Sequence, residues 1–265
     1  MRRPRDYRCY LIDIEGVLVR DKRYEAIPGS REWFAGLTDR GIKYCLVSNN
    51  TTHTPDELRS DLDQAGFSVK PDQLVTALEL GVDLLTRWGK RRVMWLGVSR
   101  LQDYWRDQGF ELVETGECDA VILGANSALQ VADLNRALPA LLDYRAELVA
   151  LHRNTFFLDK TGRRTLGPGA WCAALESVSE TGQALCVGKP EEKIYREALK
   201  RVAVEAAEAL FISDDPLSDL VTAKRLGMGT AFLLCGKYPD HKVLGCMSQE
   251  EWPDTICERP ADLDG

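Results

Sequence analysis

The sequence predicts an α/β fold built on mostly parallel sheets, and three features predict it. Short apolar runs bounded by polar residues recur from end to end. Stretches with apolar residues at helical spacing separate them, and several runs stop abruptly at an acid, a serine or a lysine. Such runs suit strands buried on both faces, and their alternation with helices means crossover connections and parallel pairing.

Taken in order, Tyr7–Ile12 reads as a strand that ends at Asp13, followed by a glycine-containing segment from Gly16 to Ala26. Pro28-Gly29-Ser30 opens a helix carrying Trp33, Phe34 and Leu37, and Gly41 closes it. Ile42–Val47 is a second strand, ending in Ser48-Asn49-Asn50. From Thr54-Pro55 to Ala65-Gly66 the pattern is a helix with proline near its start and glycine past its end. The alternation restarts near residue 76 with a helix over Ala77–Trp88 and a strand over Arg92–Leu96. A helix with Leu101, Tyr104 and Trp105 follows, then a strand over Asp119–Gly124. The helix Asp133–Tyr144 gathers Leu134, Ala137, Leu138, Leu141 and Leu142 on one side, the spacing of a packing stripe. Glu147–Leu151 is strand-like, Asp159–Gly162 a hairpin turn, and Gly167-Pro168-Gly169 opens a helix over Ala170–Glu180.

The last third repeats the theme. A strand over Ala184–Val187 ends in Gly188-Lys189-Pro190, and a helix runs from Glu191 to Val202. A strand over Ala209–Ile212 ends in Ser213-Asp214-Asp215, before a helix Leu217–Leu226 and a strand Gly229–Leu234. Neither an internal repeat nor a low-complexity tract is present.

Composition narrows the function. With 265 residues the chain exceeds one average domain, and its 45% hydrophobic content supports a sizeable core. A net charge of -7 argues against a nucleic-acid binder, which carries a basic surplus. No apolar run approaches membrane-spanning length, and the basic start, Met1 to Arg5, leads into no signal segment. The eight cysteines form no CxxC pair and the three histidines are scattered, so the thiols read as reduced and the compartment as the cytoplasm.

The chemistry is expected at strand ends. In an open α/β sheet, ligands bind beyond the carboxyl ends of the strands. Four predicted strands end in Asp13 with Glu15, Ser48 with Asn49, Lys189, and Asp214 with Asp215. One parallel sheet would bring all four tips to one edge. Converging carboxylates repel unless something neutralises them, and magnesium, which takes oxygen ligands and keeps waters, does so. Asp13 and Asp214 are then the side-chain ligands, and Lys189 adds positive charge for an anionic target. Ser48 and the backbone around Asn49 would cradle phosphate oxygens. Glu15, two residues past the nucleophile Asp13, would act as acid and base. Each piece alone is ordinary, since aspartates and serines at strand ends are commonly caps and turn formers. Their order along the chain carries the signal.

These residues resemble the four motifs of the haloacid dehalogenase (HAD) superfamily. Leu11-Ile12-Asp13-Ile14-Glu15-Gly16-Val17-Leu18 is similar to the first, Val47-Ser48-Asn49-Asn50 to the second and Val187-Gly188-Lys189-Pro190 to the third. Ile212 to Asp219 is similar to the fourth. The stretch between the second and third motifs resembles the large α/β cap of subfamily IIA, which includes nitrophenyl and nucleotide phosphatases. Leu148 to Glu176 looks most like the branch with phospholysine phosphohistidine inorganic pyrophosphate phosphatase. The resemblance implies a Rossmann-like core over 1–76 and 183–265 and an inserted cap over 77–182. It also implies an aspartyl-phosphate on Asp13, magnesium held by Asp13, Asp214 and the carbonyl of Glu15, and a homodimer through the cap. The expected activity is a magnesium-dependent phosphatase acting on a small phosphorylated metabolite.

Two positions depart from the family pattern. Glu15 stands where the family usually has aspartate; one added methylene moves the carboxyl by roughly an ångström, which can cost about a hundredfold in rate. The alternative expectation is therefore a catalytically weak or inactive phosphate-binding or regulatory protein. Ser213 stands where the family has glycine, which puts a side chain into a tight turn. Asp215 reads as a supporting or capping residue, and Asp219 as support for Lys189 or the metal waters. His152, Arg153 and Asn154 follow a strand of the insertion and are candidates to face substrate or to form a solvated loop; Trp171 reads as core.

Overall fold

In a computed structural model of the chain, residues 3–20, 24–158, 163–179 and 182–264 are described. The chain forms two compact units. The first comprises 1–48, 56–75 and 189–265, and the second 49–55 and 76–188.

The first unit is built on a six-stranded sheet in the order Thr255–Cys257, Gly229–Leu233, Ala209–Ser213, Cys9–Ile12, Lys43–Ser48, Leu74–Thr76. Pairing among the first five strands is parallel. Cys9–Ile12 lies near the middle and is fully buried, as the unbroken apolar run requires. Its register sets Ile12 beside Ile212 on one side and Leu46 on the other. The residues that follow, Asp13, Ser213 and Val47-Ser48, therefore leave the sheet along one edge.

Helix Ser30–Asp39 buries Trp33, Phe34 and Leu37, the three residues whose spacing predicts it. Helix Glu192–Val202 buries Ile194, Tyr195, Ala198, Leu199 and Val202, again one stripe. The edge strands Leu74–Thr76 and Thr255–Cys257 escape the sequence reading because each is three residues long; Ile256 is also exposed, so no run marks the second.

The second unit carries its own five-stranded parallel sheet, ordered Leu185–Cys186, Glu147–Ala150, Ala120–Leu123, Arg92–Leu96, Glu111–Leu112. Helix Val131–Leu142 buries Leu134, Ala137, Ala140 and Leu141. An antiparallel pair, Phe156–Leu158 with Arg164–Leu166, flanks the expected hairpin turn, which itself lies outside the described residues. Helix Pro168–Glu176 begins where Gly167-Pro168-Gly169 signals it.

One expectation is corrected here. The strand before Lys189 does not join the core sheet: Leu185–Cys186 pairs with Glu147–Ala150, and the Gly188 N–H bonds to the Leu151 carbonyl at 2.8 Å. The crossover through Pro168–Glu176 returns the chain beside the strand it left, the usual outcome for sequential elements. The second unit accordingly runs to Gly188. Among the described residues, no helix is long and apolar enough to cross a membrane.

Candidate active site

Asp13 follows the buried central strand, and its N–H donates to the Ile212 carbonyl at 2.9 Å, so the backbone continues the ladder one step past the sheet. Its carboxyl is buried. Oδ1 accepts from the Ile14 N–H at 2.9 Å and from the Lys189 ammonium at 2.8 Å. Among the described residues no donor reaches Oδ2.

Lys189 is 2% exposed, and its ammonium also bonds Asp219 Oδ2 at 2.7 Å. Burial works against its charge, but Asp13 and Asp219 outweigh burial and raise its pKa. Lys189 thus reaches Asp13 although its strand lies in the other sheet.

Asp214 and Asp215 leave the strand Ala209–Ser213 side by side. The Asp214 Oδ2 atom is wedged between two glycines: a Cβ at Gly16 or at Gly236 would lie 1.9 Å from it. It accepts from the Lys237 N–H, while Oδ1 has no donor among the described residues. Asp215 caps the following helical turn, Pro216–Leu220, by accepting from the Ser218 N–H at 3.1 Å, and pairs with the Lys237 ammonium at 2.6 Å.

Ser213 does not crowd the turn. It is fully buried, donates to Asp219 Oδ2 at 2.6 Å and accepts from the Asp215 N–H at 3.0 Å. The hydroxyl therefore serves as a bracket between two acids. Tyr195 donates to the Asp219 carbonyl at 2.9 Å from the neighbouring helix.

The electrostatics of this cluster are unbalanced. Among the described residues, four buried carboxylates, Asp13, Asp214, Asp215 and Asp219, face two ammonium groups, those of Lys189 and the half-buried Lys237. Burial raises the Asp13 pKa well above its ordinary value, Lys189 opposes the rise, and Asp219, Asp214 and Glu15 add to it. Burial pushes Asp214 up to about 7, against the Lys237 N–H bond. Two undonated oxygens, Asp13 Oδ2 and Asp214 Oδ1, in a pocket of excess negative charge suit a hard dication. Among the described residues, no three His, Cys, Asp or Glu side chains gather as a cage. Carboxylate oxygens are the ligand type that magnesium prefers.

Glu15 is half-buried two residues past Asp13, where its backbone bridges to Val19. Ser48 is fully buried at the end of its strand. Asn49 belongs to the second unit, with Nδ2 3.5 Å from Asn154 Oδ1. Asn50 Oδ1 accepts from the N–H groups of Thr52 and His53, an Asx turn that shapes the exit from the strand.

The three residues of the insertion are tied down internally, with His152 buried and Arg153 and Asn154 half-buried. The ring of His152, 4% exposed, is 3.5 Å from Thr51 Oγ1 and accepts from the Asn154 N–H. Arg153 grips Glu176 through both terminal nitrogens and donates to the Ala184 carbonyl. Trp171 packs against the core of the second unit, as expected.

Sequence reading missed Gly16, Gly236 and Lys237 as parts of this centre. A signal was present: Gly236-Lys237 follows a strand exit just as Gly188-Lys189 does. The glycines follow from sterics alone. Gly16 sits at φ +83, where a side chain costs roughly 1 kcal/mol, and its Cβ would collide with Asp214. Gly16→Ala is expected to lose more stability than that φ cost alone, read from the denaturant midpoint.

The fold and the motif geometry together define an α/β phosphate-ester enzyme, and the comparisons agree. The chain belongs to the haloacid dehalogenase-like hydrolase family, in the branch named for phosphatases. Residues 10–111 match the haloacid dehalogenase-like hydrolase model and residues 186–263 a HAD-hydrolase-like model. Human haloacid dehalogenase-like hydrolase domain-containing protein 2 is 31% identical over 88% of this chain and 86% of its own length. Among solved structures, p-nitrophenyl phosphatase from Archaeoglobus fulgidus superposes with a TM-score of 0.85 at 27% identity, covering 97% of this chain and 98% of that one. Glycerol phosphate phosphatase from Mycobacterium tuberculosis, solved with magnesium, shares the fold with a TM-score of 0.80 at 23% identity, over 99% and 78% of the two chains.

Proposed function

We propose that this chain is a magnesium-dependent phosphatase that hydrolyses a small phosphorylated metabolite through an aspartyl-phosphate on Asp13. The observation that carries this reading is the buried Asp13 carboxylate with one oxygen fastened by Lys189 and Ile14 and the other without a donor among the described residues. A side chain that served only as a cap would spend both oxygens on the protein.

Asp13 supplies the electron pair that forms the new P–O bond, and the bond from phosphorus to the substrate oxygen breaks. Glu15 gives its proton to that departing oxygen, becoming a carboxylate. Water then attacks phosphorus, Glu15 takes the proton back, and Asp13 leaves with its original charge. Lys189 holds Asp13 in one orientation and offsets its charge, Asp219 holds Lys189, and Ser213 holds Asp219. Ser48 and the backbone at Asn49 would contact the phosphoryl oxygens. Asp13, Asp214 and the carbonyl of Glu15 would hold magnesium, which neutralises phosphoryl charge when bound. A homodimer through the insertion belongs to the same reading, and sedimentation analysis reads it directly.

The test is phosphate release from p-nitrophenyl phosphate and a panel of phosphorylated metabolites, with magnesium and with chelator. Release that is identical in both conditions would sink the magnesium dependence. The position of Glu15 separates this reading from that of a weakly active phosphate-binding protein. Glu15→Gln is expected to lower turnover by about two to four orders of magnitude, the usual weight of an acid/base. Glu15→Asp is expected to leave it within about tenfold of wild type or below it. A gain of several orders of magnitude on Glu15→Asp would favour the weakly active reading.

A further inference from the structure

The adjacent acids Asp214 and Asp215 leave one strand end and are almost equally buried, 6% and 5% exposed. Both stand beside the same unbalanced cluster, yet their oxygens are treated differently. Asp215 Oδ1 takes the Ser218 N–H, and Oδ2 takes the Lys237 ammonium at 2.6 Å. Asp214 Oδ2 takes the Lys237 backbone N–H, and Oδ1 takes nothing from the described residues. One residue thus engages both acids with two different groups. Its neighbour Gly236 lets the loop close onto Asp214, where any Cβ would collide with Oδ2, and the Cys235 thiol donates to the Gly16 carbonyl at 3.2 Å on the other side.

We propose that Lys237 is a positioning residue that sorts these two acids, occupying Asp215 through its ammonium and orienting Asp214 through its backbone N–H, so that a divalent cation meets one free oxygen of the pair. This inference rests on the phosphatase reading. The ammonium is the discriminating part, because side-chain replacement leaves the backbone N–H in place. Without the ammonium, the Asp215 carboxylate is left, among the described residues, with the Ser218 N–H and becomes an uncompensated charge beside the cation.

The expected signature is a split that simple loss of structure does not produce. In Lys237→Met, magnesium binding measured by calorimetry on the protein alone is expected to tighten roughly tenfold, because one unmatched negative charge now faces the dication. Phosphate release is expected to fall in the same variant, because the added carboxylate competes for the cation and pulls it off its working position. Lys237→Arg keeps the charge and is expected to restore both. Adding Asp215→Asn to Lys237→Met removes the freed carboxylate and is expected to return magnesium affinity to near wild type. Lys237→Gln replaces Lys237→Met if the latter does not melt cooperatively. Magnesium binding no tighter than wild type in a cooperatively folded Lys237→Met or Lys237→Gln protein overturns the inference. Absence of magnesium binding by wild type would instead sink the phosphatase reading, and this one with it.

Discussion

Asp13→Asn is expected to abolish phosphate release, by at least about three orders of magnitude, while leaving the protein folded. Asparagine keeps the shape and can still accept at Oδ1 from the Ile14 N–H, but its amide is not a nucleophile toward phosphorus. Removing this charge also removes its desolvation cost and its repulsion with Asp219, Asp214 and Glu15, which offsets the weakened pairing with Lys189, so melting temperature is expected to hold or rise. Loss of activity with retained or improved stability is the combination that distinguishes a nucleophile from a structural acid. Equal rates in wild type and variant would end the proposal for Asp13.

Lys189→Met is expected to damage both properties together. The ammonium is buried between Asp13 at 2.8 Å and Asp219 at 2.7 Å, and methionine fills its volume without its charge. Two carboxylates are then left buried without their shared partner, at a cost of about 3–5 kcal/mol. Denaturant unfolding reads that cost. Activity is expected to fall by orders of magnitude even where the protein is folded, since Asp13 loses the group that fixes Oδ1. The contrast is diagnostic: an acid removed from a negative cluster relaxes it, whereas the cation removed from its middle strains it.

Most of the centre was legible in the sequence because strand ends are marked by polarity. Asp13, Ser48 and Asp214 follow apolar runs, and parallel pairing brings the ends of those runs to one edge. Lys189 was found by the same rule for an incorrect reason, since its strand pairs in the other sheet and the side chain returns to Asp13. Ser213 was misjudged because its identity alone suggests crowding, whereas its hydrogen bonds depend on Asp219, whose placement requires the turn Pro216–Leu220. His152, Arg153 and Asn154 were ambiguous for a related reason. Arg153 takes its partners from Glu176 and Ala184, far along the chain, and no local pattern announces such a pairing. Lys237 lies in a loop, where periodicity is silent.

The middle of the core sheet also sets the order in which the protein can be assembled. Cys9–Ile12 precedes its flank Ala209–Ser213 by two hundred positions in register, Cys9 against Ala209. Such distant closure is entropically slow, and a nascent chain carries this strand with one flank missing until two hundred further positions have been made. A chain shortened before Lys237 would leave Asp214 without the N–H that orients it.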